Sequence, residues 1–102
     1  MTMASGKMVV MLPGDEPPKT VDWTTDPSHA QGREKRPPIK LMMEYLGGFP
    51  MKISEAILYE GKLRYVFING DEEPLTNVVV NAQASRLCGF PIVGPLIISI
   101  PA

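Results

Sequence analysis

The hydrophobic positions of this chain fall into short runs whose spacing alternates between that of strands and that of helices. Lys7 to Leu12 reads KMVVML, an apolar run of strand length that stops at the turn signal Pro13-Gly14. Further on, Ile39, Met42, Met43 and Leu46 recur at i, i+3, i+4 and i+7, which places them on one face of a helix. Pro37-Pro38 suits the entry to that helix, where a missing N–H costs nothing, and Gly47-Gly48 suits its end. Met51 to Tyr59 and Lys62 to Asn69 are rich in strand formers, and the two residues between them, Glu60-Gly61, have the length of a tight hairpin turn. In the second strand Leu63, Tyr65 and Phe67 share one face, while Lys62, Arg64, Val66 and Ile68 share the other. Asn69-Gly70-Asp71 breaks the pattern, and an acidic loop leads to a short apolar run, Val78 to Val80. Asn81 fits the N-cap of a two-turn helix, AQASRLC, with Ala84, Leu87 and Cys88 on one side and Gly89 as its stop. Leu96 to Ile100 has little polar alternation, which is expected of a strand that is central in a sheet or covered by a second subunit.

The predicted order is therefore β-α-β-β-(β)-α-β, an α+β fold with a small mixed or antiparallel sheet of four to five strands and two short helices. Residues 13–38 stand apart from this pattern. They hold six of the eleven prolines, and their only large apolar residues are Val21 and Trp23. The stretch reads as a long proline-rich loop within a single domain, and loops of that length inside a compact fold are usually functional or disordered.

At 102 residues, with 44% apolar and 21% charged side chains, the chain can bury a core of its own without disulfides or metals. A formal net charge of -1 argues against a whole-domain affinity for nucleic acid or an anionic membrane. One cysteine, Cys88, closes no disulfide and no zinc cage; one histidine, His29, leaves a metal equally short of ligands. No run approaches the ~20 apolar residues that span a bilayer, so the expected compartment is the cytoplasm, with no cofactor and no metal.

Candidate chemistry is sparse. Asp26, Ser28 and His29 can be written as a catalytic set, but they crowd into one proline-flanked stretch that offers no rigid support for a triad. Cys88 reads as a small core hydrophobe. Asp71, Glu72 and Glu73 lack the alternating spacing of a calcium loop and read as a solvated turn. The densest polar cluster comprises Arg33, Lys35, Arg36 and Lys40, ahead of and inside the first helix. There the free N–H groups and partial positive charge of a helix N-terminus favour an anion. Trp23, with the hydroxyls of Thr24 and Thr25 and the nearby His29, could add stacking and hydrogen bonds to a phosphorylated ligand such as a nucleotide. As an interface anchor, Trp23 is the loop residue expected to dominate binding to a protein partner. Should the loop be only an insertion, the next surface to consider is the hairpin around Tyr59 to Arg64.

The runs IKLMMEYLGGFPMKI and NVVVNAQASRLCGFPIVGPLIISI, with a hairpin between them, resemble a family of small uncharacterised proteins carried by bacteriophages and plasmids. The matching residues are Gly47, Gly48, Asn81, Ala84, Leu87, Ile92, Gly94 and Leu96 to Ile98, spread over roughly residues 39–100. The proline-rich loop departs from that pattern. The resemblance implies a mobile-element origin and the same architecture, and it carries no catalytic residues. Together these readings predict a non-enzymatic accessory protein that binds a host protein and inhibits or redirects it, as an anti-CRISPR protein or other host-defence inhibitor does. The alternative is a protein that sequesters a small phosphorylated ligand. A homodimer is also expected, through the apolar C-terminal strand.

Overall fold

A computed structural model describes residues 4–14, 16–25, 36–71 and 79–101. In chain order its elements are β1 (Ala4–Met11), β2 (Lys19–Thr25), α1 (Ile39–Leu46), β3 (Pro50–Lys52), β4 (Ile57–Tyr59), β5 (Lys62–Arg64), β6 (Val66–Asn69), α2 (Ala82–Cys88) and β7 (Leu96–Pro101). Five strands form one antiparallel sheet in the order β2-β1-β7-β6-β3, and β4 and β5 form a separate antiparallel pair. The fold is small and α+β.

Alternation along the three central strands sends their side chains into two cores, one on each side of the sheet. On one side Met8, Val10, Phe67 and Ile97 pack with Trp23 of β2 and with Met42 and Leu46 of α1. On the other, Val9, Met11, Val66, Leu96 and Ile98 pack with Ile57 of β4, Ala84 of α2 and Ile92. This explains why β7 shows so little polar alternation: it lies between β1 and β6, with Leu96, Ile97 and Ile98 wholly buried. The homodimer expected through β7 loses its motive, since both edges of that strand are already paired.

The largest departure from the sequence reading falls in residues 13–38. Lys19–Thr25 is a strand paired with β1 over seven residues, Ala4↔Thr25 to Val10↔Lys19. Its sequence, KTVDWTT, has the strand period: Val21 and Trp23 turn inward while Thr20, Asp22 and Thr24 are exposed. The prolines on either side gave the whole stretch the composition of a loop and hid this alternation. A second departure concerns the predicted long hairpin, whose two strands are each divided. The chain bends at Ser54 and Glu55, so β3 pairs with β6 while β4 pairs only with β5. Opposite the bend, the carbonyl of Tyr65 accepts from Ser99 N–H at 2.9 Å, tying the junction of β5 and β6 to β7. The short apolar run before α2 contributes one bridge, Val80↔Val93; Val78 lies outside the described residues.

Both predicted helices form where their spacing placed them. The buried seam of α1 is narrower than its four apolar positions suggest: Met42 and Leu46 are buried, whereas Ile39 and Met43 remain partly exposed. Gly47 ends α1 in the left-handed conformation (φ 78°), and its N–H donates to Met43 O at 2.9 Å. The second glycine serves a different need, because a Cβ on Gly48 would collide with the side chains of Asn69 and Asp71. Asn69 Nδ2 in turn donates to Leu46 O at 3.2 Å and holds the end of α1 on β6. Since Leu46 is 2% exposed in the core beneath α1, Leu46→Ala is expected to cost about 2–5 kcal/mol in chemical denaturation. A cost below about half a kilocalorie, typical of a surface change, would contradict this packing.

Candidate functional site

Among the described residues, those that the sequence singled out do not converge. Trp23 is 3% exposed, its ring packed in the α1 core and its Nε1–H donating to Lys7 O at 3.0 Å. Its strand partner is Gly6, and a Cβ there would lie 2.7 Å from the indole, so the missing side chain makes room for the ring. Trp23 is therefore a core residue, and the expectation of an exposed stacking platform or interface anchor is corrected. Strand alternation turned it inward.

Thr24 is exposed on β2, the edge strand. Thr25 ends that strand in register with Ala4. Ser5, Gly6, Lys7, Asp22, Trp23, Thr24, Ile100 and Pro101 line an open hollow of about 400 Å³. An ion pair on its rim, Lys7 Nζ to Asp22 Oδ1 at 3.5 Å, balances the charge and gives an anion no preference there. Arg36 and Lys40 are exposed at the start of α1, away from that hollow's lining. His29, Arg33 and Lys35 lie outside the described residues.

Among the described residues, reactive groups give no second centre. Burial pushes the Cys88 thiol up from its ordinary pKa, which lowers its thiolate population, and the residue packs against the α2-side core. The Tyr59 hydroxyl is also raised, first by burial and then by the neighbouring Glu60 carboxylate. Among the described residues, no three His, Cys, Asp or Glu side chains are grouped to hold a metal, and no helix is long and apolar enough to cross a membrane.

Among the described residues, the hairpin carries the two most exposed large apolar side chains, Leu58 and Leu63. Glu60 (φ 50°) and Gly61 (φ 83°) give it the positive-φ pair of a type I′ turn, whose twist matches that of the strands. The register Ile57↔Arg64, Leu58↔Leu63, Tyr59↔Lys62 fixes which side chains share a face. Ile57 is buried and Tyr59 packs beside it, so their face lies against the α2-side core. Leu58 and Leu63 consequently form a cross-strand pair on the outer face, exposed by 62% and 70%. Two residues beyond Leu63, Tyr65 is 43% exposed, and the Lys52 ammonium sits 4.5 Å from its ring centre. Phe67, expected on the same face, is covered by the core beneath α1, whereas Leu63 and Tyr65 remain exposed.

The sequence named this hairpin only as a second choice. The leucine pair could have been read from it, since Leu58 and Leu63 stand symmetrically about a two-residue turn. Their exposure could not, because it depends on which face of the hairpin meets the sheet. Compared with known proteins, the chain matches no family model, no curated protein and no solved structure.

Proposed function

We propose that this chain is a non-enzymatic accessory protein of a phage or other mobile element that docks on a host protein in the host cytoplasm and blocks or redirects it, as a host-defence inhibitor such as an anti-CRISPR protein does. The observation that carries the docking reading is the Leu58–Leu63 pair: two large apolar side chains side by side on the outer face of a hairpin, where polar residues would serve a solvated strand better. Leucines fixed on a tight hairpin lose little freedom when a partner covers them, which favours binding. The resemblance to small phage and plasmid proteins supports the mobile-element part of the reading. The alternative, sequestration of a phosphorylated ligand, is weakened by the burial of Trp23, its intended stacking surface.

The test is capture of a host protein by the parent and by Leu63→Asp, with both melting curves recorded. Leu63 is 70% exposed, so the substitution is expected to leave the fold intact while weakening the captured complex by at least about 2 kcal/mol. A variant that holds the same partner as tightly as the parent would place the docking surface elsewhere. A melting temperature raised by added nucleotides would favour the alternative, because a ligand at 100 times its Kd stabilises by about 2.7 kcal/mol.

A further inference from the structure

Four strands have an edge that no other described strand pairs with, and they differ in how those edges are protected. Edge strands usually carry charge or proline to discourage pairing with another chain. β2 has Lys19 and Asp22, β3 has Pro50 and Lys52, and β5 has Lys62 and Arg64. β4 is Ile57-Leu58-Tyr59, with neither.

The hairpin geometry also says which backbone groups face that open edge. Residues flanking a two-residue I′ turn exchange both hydrogen bonds, so Tyr59 and Lys62 are a bonded pair and Leu58 and Leu63 the non-bonded pair that follows. The N–H and C=O of Leu58 thus point away from β5. An extended strand is what such a donor and acceptor recognise.

We propose that the occupant is a second copy of this chain, its β4 antiparallel to the first and related by a two-fold axis at Leu58. In that register Leu58 exchanges both backbone hydrogen bonds with its counterpart, and Ile57 lies opposite the second copy's Tyr59. Glu60 lies opposite Ala56 and Glu55 opposite Gly61, so no like charges oppose one another. Shifting the axis by one residue to Tyr59 would instead set Leu58 against Glu60. A net charge of -1 brings almost no long-range repulsion between copies. The paired hairpins form a four-stranded sheet whose outer face carries both leucine pairs in one row, doubling the apolar surface while leaving it open. The inference shares Leu58 with the docking reading but does not depend on a host partner.

Light scattering at micromolar concentration is expected to give twice the mass of one chain. Leu58→Lys, at an exposed position, is expected to give one chain mass and to keep a cooperative melting transition, lowered only by the lost association. Leu63→Asp, off the β4 edge, is expected to remain dimeric even though it loses the host partner, so failure of either reading is told from failure of the other. Under oxidation Leu58→Cys is expected to form a disulfide-linked dimer, because bonded antiparallel neighbours stand about 5.5 Å apart at Cα, within disulfide range. The parent, which retains Cys88, and Leu63→Cys are expected to show none. A parent at monomer mass, a Leu58→Lys dimer, or cross-linking through Leu63→Cys in place of Leu58→Cys would each overturn the proposal.

Discussion

Trp23→Ala is expected to remove about 3–5 kcal/mol of stability, the range for truncating a buried aromatic side chain. Domains of this size are stable by about 5–15 kcal/mol, so such a variant would approach the threshold of folding. Three features place the loss in the fold. The side chain is 3% exposed, it packs in the core formed by α1 and the central strands, and its indole N–H bonds the Lys7 carbonyl at 3.0 Å. No collapse of β1 can refill the space well, because the residue paired with Trp23 is a glycine, whose backbone lies directly against the ring. Urea denaturation followed by far-UV circular dichroism measures the effect, with the intrinsic fluorescence of the single tryptophan as a second probe of the parent. A cost under about 1 kcal/mol, the average for any point mutation, would mean that β2 does not hold Trp23 in the core. It would also return the residue to the role of a surface anchor.

Asn81→Ala is expected to cost about 3 kcal/mol or more although it deletes only a carboxamide. Asn81 has no exposed surface, and its side chain joins three segments. Oδ1 accepts the Ala84 N–H at 3.1 Å and caps α2, while Nδ2 donates to Met11 O at 3.0 Å and to Gly94 O at 2.9 Å. Losing the cap costs about 1 kcal/mol. Leaving buried carbonyls without a donor costs about 1–3 kcal/mol each. Asn81→Ser separates the two terms: a hydroxyl can restore the cap but is too short to serve the two carbonyls. Its denaturation midpoint is therefore expected between those of the parent and Asn81→Ala. If serine were as stable as asparagine, the ties to β1 and to Gly94 would contribute nothing, and Asn81 would be a helix cap alone.

Asn81 also shows how far a sequence can be read. Its type and position, ahead of an apolar helical pattern, identified it as an N-cap, because capping is a contact between residues three apart. Its two other bonds reach to Met11 and Gly94, 70 and 13 positions away in the chain, and no local pattern announces them. The same division holds elsewhere. The hairpin turn at Glu60-Gly61 and the glycine stops at Gly47 and Gly89 were legible, since each depends on the conformational preferences of one or two residues. β2 was not read, because the prolines around it outweighed an alternation only seven residues long. Val66 and Phe67 were correctly placed on opposite faces, but whether each face would be covered was not readable.

The candidate surface divides in the same way. By itself the sequence determined two short helices, the hairpin with its turn, a final strand with little polar alternation, and the symmetric placing of Leu58 and Leu63. These follow from periodicity and turn chemistry, which act over a few neighbouring residues. Only the tertiary structure decided that Trp23 belongs to the core and that β7 is central. It also decided that the hairpin rests on its Ile57 and Tyr59 face, leaving the leucines outward. Those outcomes depend on which elements come to lie over one another, and burial is a property of that arrangement: the same apolar residue is core under a helix and surface one strand beyond it.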